Sequence, residues 1–280
     1  MYDGACLSEA GFQRAVGELR VTFKRRGCDT VLDDLRQAGC LKARFPRPVT
    51  PGWADATTLN TSGGVASGDR LMSAFSVGNG AQATLSAQAA ERFYRAPLGG
   101  SPSLVRTHID VAPGAAMEWL PQETILFDNC ALDRRLEINL APDAAFLGVE
   151  SLIFGRAAMG ERVRQAWLRD AIRVRRAGRW LLHESIRLDG AVCDTLARPA
   201  IAAGAHAMTT LVYVAQDAEA FLMPVRDILA NHAAETGVSA WNGMLVARML
   251  APDSAILRQA VAAALTVIRA PRPLPRVWMC

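Results

Sequence analysis

The chain has 280 residues, 51% of them hydrophobic, with 31 basic and 27 acidic side chains and a net charge of +4. That much apolar surface excludes a disordered or fibrous chain, because burying it offsets the entropy of ordering, and a chain of this length folds without a disulfide or metal staple. Four surplus charges make no case for nucleic acid, and with only two lysines, Lys24 and Lys42, the positive charge is nearly all arginine, whose planar fork suits carboxylate recognition.

Residues 18–24 alternate, with Leu19, Val21 and Phe23 on one side, and read as a half-buried strand. Residues 25–27 turn the chain and 30–35 return it, while the proline-bearing stretch 45–52 reads as a connector. Residues 71–77 and 81–87 flank Gly78-Asn79-Gly80, which predicts a hairpin, since Gly and Asn tolerate positive φ. Residues 105–111 alternate with Val105, Thr107, Ile109 and Val111 inward, and Pro113-Gly114 follows as a turn. Leu136, Ile138 and Leu140 form the next inward set. Ile172 and Val174 alternate with Arg173 and Arg175, and Ala177-Gly178 turns the chain into a strand with Trp180, Leu182, Ile186 and Leu188 on its inner face. Residues 207–214 are one more strand.

Helical spacing comes late. Val225, Ile228, Leu229 and His232 share a face, with Pro224 in the first turn and Gly237 beyond the end. A second helix starts near Asp253, presents Ile256, Leu257, Ala260, Val261 and Leu265, and stops before Pro271, leaving 271–275 extended. The pattern predicts a mainly β protein: an elongated, multi-stranded β domain of hairpins and meanders with a small helical portion near the C-terminus. It is read as one domain over 1–280, with 1–18 unassigned and 224–268 mostly helical. Glu9 and Glu18 interrupt residues 1–20, so no signal peptide is expected. The apolar stretch 200–215 contains Gly204 and His206 and does not read as a membrane span. The expected location is the cytoplasm, with Cys6, Cys28, Cys40, Cys130, Cys193 and Cys280 as scattered reduced thiols.

No catalytic or metal motif stands out. None of His108, His183, His206 and His232 lies three or four residues from another, the spacing a local zinc site uses. His232 reads as a core histidine and His183 as exposed; His108 and Asp110 share a strand face, with no nucleophile evident beside them. Gly63-Gly64 and Gly68-Asp69 lack the lysine of a phosphate loop and read as a turn feeding a strand. Nine arginines lie between 156 and 187; they form either a solvated face or a surface for an acidic protein partner. Glu150 shares a face with Phe146, Leu152 and Phe154, and Glu184 with Leu182 and Ile186. A buried carboxylate needs a partner, so these two predict buried ion pairs or a polar path through the domain.

Several segments together resemble the UreD (UreH) family of urease accessory proteins. They are Leu59-Asn60-Thr61-Ser62-Gly63-Gly64-Val65 with Gly68-Asp69, the stretch 81–95, and Glu118-Trp119-Leu120-Pro121-Gln122-Glu123-Thr124-Ile125-Leu126-Phe127. Gly155-Arg156 with Met159-Gly160-Glu161, and Leu274-Pro275-Arg276-Val277-Trp278, complete the set in order. The chain departs at Leu85, where a second threonine is common. The resemblance implies a mainly β fold and a non-enzymatic scaffold that binds apo-urease and recruits UreF and, through it, the GTPase UreG for nickel insertion. It implies no tightly bound cofactor, only weak or transient nickel, and neither nucleic-acid nor membrane partners. Asp69, Glu123, Glu150, Arg156, Glu161 and Glu184 are the candidate partner-binding or metal-path residues, and Glu161 leads them, either in an ion pair with Arg156 or facing a partner or a passing nickel ion. Two other readings stand beside this one: a β-rich hydrolase or sugar-binding enzyme using Asp69, Glu123 or Glu161, and a free-standing nickel or zinc carrier.

Overall fold

The structure, a computed structural model, describes residues 14–279; Cys6, Glu9 and Cys280 lie outside the described residues. In chain order the strands are β1 (Val16–Arg26), β2 (Asp29–Gly39), β3 (Leu41–Arg44), β4 (Ala54–Asn60), β5 (Arg70–Val77), β6 (Gln82–Ala87), β7 (Glu91–Phe93), β8 (Ser103–Val111) and β9 (Ala116–Leu120). Then follow β10 (Thr124–Leu126), β11 (Ala131–Leu140), β12 (Ala145–Phe154), β13 (Gln165–Arg176), β14 (Arg179–Ala191), helix α1 (Val192–Leu196) and β15 (Ala207–Val214). Helix α2 (Leu222–Leu229), β16 (Glu235–Trp241), β17 (Met244–Ala251) and α3 (Ser254–Arg269) end the series. The mainly β expectation, with a small helical part towards the C-terminus, is borne out.

The strands form two sheets, ordered β14-β13-β11-β8-β5-β1-β2 and β16-β17-β15-β12-β9-β6-β4-β3, with β7 and β10 beside β12. The chain winds between them. β5, β8 and β11 in the first sheet each lead into β6, β9 and β12 in the second, and each return adds a parallel neighbour to the last strand. The inner faces meet in one core that includes Phe23, Phe75, Ile109, Ile138, Met117 and Phe146. The second sheet's other face carries Leu120, Val149, Leu211 and Leu245 under α2 and α3, which form a second core. This layering explains two burial patterns. β11, bare on one face, alternates strictly, whereas β12, covered on both, is a nearly continuous apolar run.

The structure corrects several expectations. Gly78-Asn79-Gly80 is a corner between sheets, not a hairpin turn: β5 pairs with β1 and β8, and β6 with β4 and β9. Phe75 and Val77 thereby face Ala83 and Leu85 across the core rather than along one sheet. The 224–268 stretch is not mostly helical, because the hairpin β16–β17 stands between α2 and α3 and pairs with β15. Gly237 lies in β16, and His232 lies past the end of α2 rather than on its apolar face. Trp180 is 52% exposed, because a bulge at Val174/Arg175 skips Leu181 and turns the indole outward. The hairpin at Ala177-Gly178, the strand 207–214 and the second helix stand as expected. The Asp253 carboxylate caps that helix by accepting from Ile256 N at 2.9 Å. Cys28, Cys40, Cys130 and Cys193 are free thiols, and burial pushes Cys130 up to about 12.

Candidate functional site

Register places a charged row inside the first sheet. Leu71, Val105, Arg134 and Asp170 lie side by side on β5, β8, β11 and β13, and all point between the sheets. The rows on either side carry Leu132 and Leu168, and Leu136 and Ile172, instead. Arg134 and Asp170 pair bidentately, Nε to Oδ1 at 2.8 Å and the second fork at 2.6 Å. From the facing sheet, Glu150 on β12 meets Arg134 at 2.6 Å and accepts from Trp119 Nε1 at 2.7 Å. Thr124 accepts a further Arg134 proton at 2.8 Å. Burial pushes the Glu150 carboxyl above its usual range, and the nearby Asp170 charge adds to this, against the pull of Arg134 and the indole. Burial also works against the Arg134 charge, but Asp170 and Glu150 outweigh it and hold the guanidinium firmly protonated.

Two cavities adjoin this triad, and Glu150 is in the wall of both. One, of about 400 Å³, is lined by Asn60, Glu91, Thr107, Trp119, Thr124 and Arg134. At its far side Glu91 accepts from Asn60 Nδ2 at 3.1 Å, and burial holds its carboxyl above the usual range. The other, of about 320 Å³, is lined by Asp170, Glu184, Thr209, Thr210, Arg248 and Met249. There Glu184, 12% exposed, pairs with Arg248 and accepts from the Thr210 hydroxyl. Glu150 is thus a member of a buried ion pair, as its inward position implied, and stands in the wall of both cavities, whereas the partner of Glu184, Arg248, is 56% exposed. Four carboxylates, Glu91, Glu150, Asp170 and Glu184, and the guanidiniums of Arg134 and Arg248 stand in the walls of these two cavities.

The remaining candidates lie elsewhere. Asp69 is 3% exposed, and its two oxygens accept from Ala15 N at 2.8 Å and Ala66 N at 2.7 Å, so it staples the glycine-rich turn to the start of β1. Glu123 pairs with Arg258 of α3 at 2.9 Å. Gln122 receives the same arginine at 2.6 Å and donates to Val277 O at 2.7 Å. Trp278 donates to Leu120 O at 3.0 Å. The Trp119-to-Glu123 motif therefore docks the terminal motif, with Pro275 leading into the turn Arg276–Trp278. The acids of the hydrolase reading, Asp69, Glu123 and Glu161, each have their own separate partners.

Glu161 pairs with Arg156 at 2.7 Å, as the sequence spacing suggested. The loop needs Gly155, at φ +85°, because a Cβ there would stand 2.5 Å from Glu161 O. Gly160 closes the intervening turn. Arg156 lies 4.1 Å over Phe127, Phe127 meets Tyr94 edge-on at 5.1 Å, and Tyr94 donates to Gly63 O at 2.6 Å. Four family-like segments, at Gly63-Gly64, Tyr94, Phe127 and Gly155-to-Glu161, so converge on one patch. Gly68 completes the first of them at the Asp69 turn.

Sequence reasoning missed Arg134, Asp170, Glu91 and Arg248. Arg134 and Asp170 break inward-facing apolar alternation, the signal that singled out Glu150. It also missed Glu118, 2% exposed, which accepts from Thr84 at 2.7 Å and pairs with Arg269 at 3.0 Å and Arg272 at 2.6 Å.

Among the described residues no group of three or more His, Cys, Asp or Glu side chains is placed to hold a metal ion, and no helix is long and apolar enough to cross a membrane. Two stacked sheets with the Arg134, Glu150 and Asp170 charges paired between them define a β-rich sandwich. The family model of the UreD urease accessory protein matches residues 15–279, and the chain belongs to that family. It is 46% identical over 257 residues to the urease accessory protein UreD of Methylobacterium sp. (strain 4-46), covering 90% of each chain. It is 45% identical over 272 residues to UreD 2 of Methylorubrum populi, covering 95% of this chain and 91% of the other. With UreD of Azorhizobium caulinodans the identity is 42% over 266 residues, 95% and 97% covered. The match begins at residue 15, so residues 15–18, left unassigned by the motifs, lie inside it.

Proposed function

We propose that this chain is a cytoplasmic, non-enzymatic scaffold of urease maturation. It binds apo-urease and recruits UreF and, through it, UreG, and nickel passes through its interior to the urease active site. No cofactor is bound tightly; nickel is transient cargo. The observation that carries this reading is the Glu150–Arg134–Asp170 triad standing in the wall shared by two cavities. A cation entering beside Glu91 meets successive carboxylates, each already balanced by an arginine or an amide. Such sites hold a divalent ion weakly enough to release it, because each must first give up its internal partner. The Tyr94–Phe127–Arg156–Glu161 patch is the surface we assign to a protein partner.

The test uses cells carrying urease and the whole accessory set. Glu150→Gln keeps the volume and can still accept from Trp119, but lowers the cavity charge. The expected result is normal co-elution with UreF and apo-urease, with nickel content and urease activity reduced at least several-fold. Glu161→Gln is expected to fold normally and to lose activation through weaker complex formation. Full activation by both variants would sink the path and the patch.

A further inference from the structure

The outer face of β13–β14 carries charge that the fold does not use. Arg169 and Arg187 stand directly opposite each other on the antiparallel pair, both exposed. Like charges in that position destabilise a hairpin. Among the described residues neither makes an ion pair, nor does Arg175, whereas Arg173 on the same strand has Glu137 at 3.0 Å. Arginines further across the sheet are matched too, Arg106 by Asp133 at 3.0 Å and Arg36 by Glu18 at 2.8 Å. The exposed acid of the hairpin, Asp189, lies opposite Trp167 and makes no ion pair with them. Arg175 stacks 3.8 Å over the exposed Trp180, and Arg169 lies 4.9 Å over Trp167. Stacking fixes the guanidinium planes, so less freedom is lost when their N–H forks engage carboxylates. Tryptophan and arginine are also the residue types enriched where interfaces concentrate binding energy. The face itself is open. α2 and α3 cover the other sheet, although β1, β5, β8, β11 and β13 run parallel and such sheets are ordinarily covered on both faces.

We propose that the outer face of β13–β14 docks an acidic protein surface, whose carboxylates seat on Arg169, Arg187 and Arg175 between the two indoles. This goes beyond the maturation role and does not depend on it.

Arg187→Glu separates docking from folding. It turns the repulsive Arg169–Arg187 pair into an attractive one, so its thermal midpoint is expected at or above that of the parent chain. A fall would show that Arg187 serves the fold and would overturn the argument. The probe is a fluorescein-labelled oligoglutamate, followed by anisotropy with the full chain. The parent is expected to bind it, with affinity falling as salt rises from about 50 to 200 mM. Arg187→Glu combined with Arg175→Glu is expected to weaken binding by about tenfold or more, in line with the cost of setting like charges against each other. No binding by the parent, equal binding by the variant, or tighter binding of oligodeoxythymidylate than of the peptide would each refute the proposal. The last outcome would point to nucleic acid instead. Because the probe is neither urease nor UreF, failure here leaves the maturation reading standing, and the reverse also holds.

Discussion

Glu91 is a carboxylate with an amide partner and no ion pair to an arginine, and its environment contributes to how the protein responds to pH. Burial raises its pKa above the ordinary 4.5, with the Asn60 hydrogen bond only partly offsetting this. A carboxyl raised in the folded state supports folding fully below its unfolded pKa and loses that support as pH rises through the folded value. Glu91→Gln keeps the bond from Asn60 and removes the titration. The variant is therefore expected to match the parent's melting temperature near pH 4 and to exceed it at pH 8, a difference that thermal scans at the two pH values measure. A variant less stable at pH 8 would contradict the assignment. Single inward charges were legible in the sequence where they interrupted an apolar face, as at Glu150 and Glu184. Arg134 and Asp170 pass the same test, but Asp170 sits in the arginine-dense stretch 156–187 and Arg134 beside Arg135, where a solvated face accounts for each charge taken alone. Only register shows that they are neighbours.

At the scale of elements, the glycine-rich turn before β5 is held by geometry that one methyl group would break. Gly64 has φ +138°, and a Cβ there would lie 2.5 Å from the Tyr94 ring. Gly64→Ala is expected to cost about 1–3 kcal/mol from the backbone conformation alone, read by urea unfolding, and to loosen the Tyr94–Gly63 bond. Strands of the first sheet could be read from their alternation, because one face is solvated. Strands of the second sheet could not be read so directly. β17, Met244–Ala251, is buried on both faces over its first four residues, and a short apolar run of that kind carries no period to separate strand from helix. Gly78-Asn79-Gly80 was misread for a related reason. Local turn chemistry permits a reversal but does not say which sheet the next strand joins, and that choice rests on partners far away in sequence.

For the molecule as a whole, the second core depends on a long-range clamp. Trp278 is 7% exposed, donates to Leu120 O, and lies under Arg258, whose own forks reach Gln122, Glu123 and Trp278 O. Trp278→Ala is expected to destabilise the protein by about 3–5 kcal/mol, seen in chemical denaturation. Intact unfolding behaviour in that variant would mean that the tail merely rests on the surface. The motif around Trp119 was visible in the sequence as a family signature. That it grips the terminal motif was not, since no local pattern links residues 118–123 to 274–278.

The clamp has a consequence for biosynthesis. Domains begin to fold while the ribosome is still adding residues at roughly 5–20 per second, and the winding from β5 to β12 needs only neighbours already made. The helical layer cannot settle until residues as late as Trp278 have emerged. Until then Leu120, Val149, Leu211 and Leu245 of the second sheet remain uncovered. A nascent chain therefore passes through an interval with a finished sandwich and a bare apolar flank, and it is in that interval that the cell's holding factors have most to grip.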